Sequence, residues 1–140
     1  MSTNTVTRPA EALKLLQGDL GRYIPNTQRR VLTDLLRGEE REGIADTLIE
    51  LAERIATMPK TYEQDGKGMD AVAHLHYFGP GRMNWWITEK DCDGGTEQAF
   101  GLADLFGDGG ELGYIPICEL VGSPVELDLY WTPKPLRECR

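Results

Sequence analysis

Residues 71–91 read AVAHLHYFGPGRMNWWITEKD, two strand-like runs joined by a Gly-Pro-Gly reversal. Side chains alternate with period two along a strand, so Val72, His74, His76 and Phe78 share one face. Glycine supplies the positive φ that a tight reversal needs, so a hairpin is expected here. More strand-like runs follow at short intervals: 98–105, 112–115 and 127–132. Connections containing DGG and GDGG separate them. Parallel crossovers need a dozen residues or more, so links this short predict a mainly antiparallel sheet. In the last run Leu127, Leu129 and Trp131 alternate with Glu126, Asp128 and Tyr130, which predicts one dry and one wet face. Pro116 opens a single helical turn over PICELV, in which Cys118 reads as a small core residue.

Upstream of the hairpin the period changes to that of helices. Thr7 is the N-cap candidate of a first helix, with Pro9 in its first turn and Ala12, Leu13 and Leu16 on one side. Asn26 or Thr27 can cap a second helix carrying Val31, Leu32, Leu35 and Leu36, with Gly38 just past its end. Ile44, Leu48, Leu51, Ala52 and Ile55 mark a third, which Pro59 closes. The polar stretch TYEQDGKGMD, residues 61–70, has the composition of a loop. The fold class expected is α+β, with N-terminal helices packed on a mainly antiparallel twisted sheet of about five strands. Residues 1–45 read as a helical extension and 46–140 as the α+β domain, together one folded unit.

The 140 residues are enough for one core without staples. Cys92, Cys118 and Cys139 are odd in number and lack a CxxC spacing, which argues against a disulfide framework or zinc knuckle and suits a cytoplasmic setting. No run approaches the roughly 20 apolar residues of a membrane span. The net charge of −8 is unevenly spread. Residues 1–88 hold 12 acids and 11 bases, whereas residues 89–128 hold 10 acids and Lys90 alone. Such a surface repels phosphate, which disfavours direct nucleic-acid binding; it can attract a basic protein, and the plainer alternative is that the acids face water and keep the chain dissolved.

His74 and His76 on one strand face can ligate zinc or iron if Glu89, Asp91, Asp104, Glu111 or a cysteine completes the set; strand histidines with ordinary hydrogen-bond partners are the plainer alternative. Trp85 and Trp86 point to opposite faces: either one enters the core and the other, with Trp86 the candidate, is an exposed anchor for a partner, or both are covered, one by the helices and one by a loop. The glycine-rich pieces at 93–96 and 107–110 lack the lysine of a phosphate loop and read as turns. No nucleophile elbow or catalytic set is visible, and no cofactor is implied.

The blocks KTYEQDGKGMDAVAHLHYF, WWITEKD, QAFGLADLF, ELGYIPICEL and ELDLYWTPKPL resemble, in order, domain of unknown function family 2958 of small bacterial, plasmid and phage proteins. The resemblance spans about Asp46 to Glu138; the link from Gly79 to Asn84 departs from it. It implies an accessory protein of a mobile element, of a kind encoded near antirestriction genes, and brings no catalytic residues. In that context the expectation is a non-enzymatic counter-defence inhibitor of anti-CRISPR or antirestriction type. Its partner would be a host defence protein with a basic, nucleic-acid-binding surface. Contact candidates are Glu89, Asp91, Asp93, Glu97, Asp104, Asp108, Glu111 and Trp86. The alternatives are a small metal-dependent or acid-base enzyme using His74 and His76, and a homodimer formed through an exposed tryptophan and the sheet edge.

Overall fold

The computed structural model describes residues 7–139. Helix α1 (Arg8–Gln17) starts where Thr7 accepts a hydrogen bond from the Ala10 N–H, and it ends at Gly18. A 3₁₀ turn over Asp19–Tyr23 leads to α2 (Asn26–Leu35), and α3 (Arg41–Thr57) follows. Pro25 stands at the N-cap of α2, so Asn26 is already the first helical residue. Ala12 and Leu16 of α1, Leu32 of α2 and Ala45, Leu48, Leu51 and Ile55 of α3 enter one apolar cluster. Arg8 and Asp46 add an exposed ion pair between α1 and α3 at 2.6 Å. A boundary drawn at residue 45 falls inside α3, so the first helices and the sheet share a core.

Strands β1 (Val72–Ala73), β2 (Leu75–Phe78), β3 (Asn84–Glu89), β4 (Ala99–Asp104), β5 (Glu111–Ile115), β6 (Glu126–Leu127) and β7 (Lys134–Pro135) form two sheets. The larger has the order β5-β4-β3-β2-β6 with every neighbour antiparallel; β1 pairs with β7. The fold is α+β. Leu75, Tyr77, Ile87, Ala99, Ile115 and Leu127 face the helices. Each large aliphatic side chain buried this way contributes about 1.5 to 3 kcal/mol. Fully buried Tyr77 donates its hydroxyl hydrogen bond to the Tyr23 carbonyl, tying β2 to the turn after α1. Helix α4 (Ile117–Leu120) follows Pro116, but Cys118 is exposed because Ile117 and Leu120 take the inward positions.

The other face of the sheet is only partly wet, contrary to the alternation of residues 126–131. Strand β6 stops at Leu127, because Asp128 accepts a hydrogen bond from the Tyr130 N–H and turns the chain. Leu129 then packs on the first core, whereas Trp131 crosses to a second cluster with Ala71, Ala73, Trp86, Leu102 and Leu136. Trp131 Nε1 donates to the Ala73 carbonyl at 3.0 Å, and Lys134 Nζ sits 4.8 Å from the Trp131 ring centre. The tail from Trp131 therefore lids part of the sheet.

Two glutamine side chains act as substitute strand backbone. Gln64 Nε2 donates to the carbonyls of Val72 and Thr88, and its Oε1 accepts from the Val72 N–H. Gln28 treats Leu127 alike, donating to its carbonyl and accepting from its N–H, each at 2.8 Å.

Candidate partner-binding surface

The acidic segment divides into buried acids that hold turns and exposed acids that those turns present. Glu89, Asp91 and Asp104 are only 3, 5 and 4 % exposed. Glu89 Oε1 accepts from the Tyr62 N–H at 2.8 Å and Oε2 from the Gln64 N–H at 3.0 Å, which clasps the 60–70 loop to β3. Asp91 accepts from the N–H groups of Asp93 and Gln98 and pins the β3–β4 turn. Asp104 accepts from the N–H groups of Phe106, Gly107, Asp108 and Gly109, the entire first half of the β4–β5 hairpin. Burial by itself pushes the Asp104 carboxyl up, but these four donors outweigh it and hold the group below its usual 3.8.

These placements correct the expected contact set. Glu89, Asp91 and Asp104 are spent on backbone, and Trp86, at 4 % exposure, lies inside the second cluster with no acceptor for its indole N–H among the described residues. Trp85 packs half-buried against the first core, so neither tryptophan is an exposed anchor. Asp93, Glu97, Asp108 and Glu111 remain exposed. Lys90, the sole base among residues 89–128, donates to the Ile55 and Ala56 carbonyls at the end of α3. Burial, and then Lys60, lower its pKa. Its charge is directed at a helix terminus, where cations are favoured.

Sequence reasoning missed the apolar part of this surface. Among the described residues, five of the eight exposed large hydrophobic side chains gather at β5 and the loops beside it: Tyr62, Leu105, Phe106, Leu112 and Tyr114. Phe106, at the hairpin tip, is 75 % exposed. Strand β5 is an edge of the larger sheet and offers unpaired backbone groups there. A 520 Å³ trough runs along it past Phe106, Leu112 and Tyr114. The register sets Ala99 opposite Ile115 and Ala103 opposite Glu111, so the acidic β3–β4 turn lies at one end of this edge and the hairpin with Asp108 at the other. Gly110 is required in that hairpin, since at φ +75° an added Cβ would stand 2.4 Å from the Ala103 carbonyl oxygen. The pair Leu105-Phe106 directly before a glycine turn was the available signal, because a hairpin tip has no interior to bury them.

A second depression, of 440 Å³, opens between the 60–70 loop and the outer face of β4 and β5. Tyr62, Phe100 and Tyr114 wall it, and Glu89 lies at its base. The hydroxyls of Tyr62 and Tyr114 hydrogen-bond at 2.8 Å, and Phe100 meets Tyr114 edge-on with ring centres 5.7 Å apart. The bond to Tyr114 raises the Tyr62 pKa, helped by the nearby Cys92 and Asp93. Tyr62 has φ 81°, a left-handed backbone that tyrosine rarely adopts.

His74 lies in the break between β1 and β2, where the period-two pattern fails, since Ala73 joins the second cluster while Leu75 and Tyr77 join the first; the expected shared face is not kept by the strands, and each histidine is committed separately. His76 stacks on Trp86 at 5.5 Å and 10°, with Trp131 at 4.9 Å. Its Nε2 is 2.8 Å from Asn84 Oδ1 and its Nδ1 3.4 Å from Asp128 Oδ2, so both ring nitrogens are engaged. His74 is half-buried, and burial followed by the Arg54 charge lowers its pKa. Among the described residues, the only three ligand atoms of His, Cys, Asp or Glu within 4.8 Å of one another belong to Asp91, Cys92 and Asp93. Neither histidine is part of that group, and Asp91 already serves the turn.

No helix among the described residues is long and apolar enough to cross a membrane. No family model, no curated protein and no solved structure matches the chain. Function must therefore be read from these surfaces.

Proposed function

We propose that this chain is a non-enzymatic binding protein that docks on a basic surface of a nucleic-acid-binding protein. The observation that carries this is the β5 edge, where Leu105, Phe106, Leu112 and Tyr114 lie between exposed acids at Asp93, Glu97, Asp108 and Glu111. An apolar centre supplies burial, and the flanking like charges speed encounter with a basic partner and exclude acidic ones. A groove that normally holds phosphate has the complementary sign. The resemblance of residues 46–138 to mobile-element accessory proteins is in keeping with a counter-defence role against a restriction or CRISPR effector. The three unpaired cysteines suit a reducing cytoplasm.

The test is affinity purification from a bacterial host challenged with phage, followed by direct binding measurements on the protein recovered. A basic nucleic-acid-binding protein should bind more weakly as salt rises and be displaced by its own DNA or RNA. Asp93→Lys combined with Glu111→Lys should weaken it at least tenfold, and Phe106→Ala should raise the dissociation rate. Recovery of no such protein, together with unchanged phage or plasmid fitness in the charge-reversed variant, would refute the proposal.

A further inference from the structure

Glu89 is a carboxylate 97 % removed from solvent with no cation within ion-pair distance among the described residues. Its two backbone donors leave acceptor positions unused, since a carboxylate offers about four. It lies at the base of the 440 Å³ groove whose walls are the rings of Tyr62, Phe100 and Tyr114. A negative charge beneath aromatic faces selects cations, because both the charge and the ring quadrupoles attract positive ligands. The groove adjoins the β5 edge, since Leu112 and Tyr114 line both it and the trough. The φ of 81° at Tyr62 is held by the clasp of its own N–H to Glu89, which couples the aromatic wall to the carboxylate below it.

We propose that this groove receives one arginine side chain of the bound partner. A planar guanidinium stacks on tyrosine and phenylalanine faces and has five N–H donors for Glu89 and the phenol oxygens, whereas an ammonium is more strongly hydrated and stacks less well. The proposal rests on the protein-binding role above and names the group recognised at its centre. Asp65, also in the lining, adds negative potential at the mouth.

The test uses the intact chain and three small probes: N-acetyl-arginine amide, N-acetyl-lysine amide and the uncharged N-acetyl-citrulline amide, followed by aromatic and backbone NMR shifts. The arginine probe should give saturable shifts confined to Tyr62, Phe100, Tyr114 and residues 61–71, and citrulline should give none. Tyr114→Leu, at an exposed position, should weaken arginine binding about fivefold by removing one ring face. Val31→Ala, exposed on α2 and outside both the groove and the trough, should leave it unchanged. Equal shifts with citrulline, equal affinity for lysine, or full binding by Tyr114→Leu would each overturn the assignment. If the probe fails while charge reversal still abolishes partner binding, the groove proposal alone falls. If the probe binds and no basic partner exists, only the wider reading falls.

Discussion

Replacing Glu89 by glutamine tests whether one buried carboxylate holds the 60–70 loop in place. The two carboxylate oxygens accept from separate N–H groups, those of Tyr62 and Gln64. Glutamine keeps one oxygen and sets an NH₂ against the other N–H, so a buried donor loses its acceptor and the surviving bond loses its charge. A lost partner of this kind costs about 1 to 3 kcal/mol, and the charge-assisted part of the remaining bond is of similar size. Against this, the neutral side chain no longer bears the desolvation of an unpaired charge. The net expectation is destabilisation of about 2 kcal/mol, or roughly 6 to 8 °C for a chain of this length. Thermal and urea unfolding followed by circular dichroism would measure it, with Glu111→Gln, exposed and without side-chain hydrogen bonds among the described residues, as a control within about 0.5 kcal/mol. Trypsin should also cut faster at Lys60 and Lys67 in Glu89→Gln. A variant as stable as the parent, with an unchanged cleavage rate, would show that the clasp does not hold the loop.

Three further outcomes follow from buried polar groups. Tyr77→Phe leaves the Tyr23 carbonyl without its donor and should cost about 1 to 2 kcal/mol in urea unfolding; a neutral result would show that the hydroxyl contributes nothing. Asp104 is held below 3.8, so its contribution is complete above that value and is lost as pH falls through its folded pKa. Asp104→Asn should therefore lower the melting temperature at neutral pH and flatten its fall in acid, which a melting series from neutral pH to about 3 would check. His74 is held below 6.5, so it supports the fold fully above 6.5 and increasingly less as pH drops toward its folded value. His74→Gln should remove the part of the stability loss that sets in as pH falls below 6.5, and an unaltered profile would count against a protonation penalty there.

Most of the architecture was legible because it depends on local patterns. The 3.6-residue stripe of α3, the Thr7 cap and the short glycine links between strands are each set by neighbours in sequence. The second cluster was not, since nothing near Trp131 indicates that Asp128 turns the chain and sends the indole to the opposite face from Leu129. Alternation separates Trp86 from Trp85 without telling whether the second face is bare or covered. That alternation is real, but the tail covers the face onto which Trp86 projects. The acidic bias was visible, yet which acids stay exposed was not: Glu89, Asp91 and Asp104 are buried and each accepts two or more backbone N–H bonds, whereas Asp93 and Glu97 are exposed and Glu97 accepts only that of its neighbour Thr96. The tyrosine-walled groove depends on pairing Tyr62 with Tyr114 across 52 residues, a contact no periodicity encodes.

The substitution of Gln28 for a strand beside Leu127 also governs stoichiometry. With its amide occupying the outward backbone groups of β6, the larger sheet presents, among the described residues, a vacant ladder only at β5. Filaments built by strand addition need two vacant edges per subunit, one to receive and one to pass on. A sheet with one such edge can accept a single added strand, or pair with one identical copy about a two-fold axis, and growth then ends.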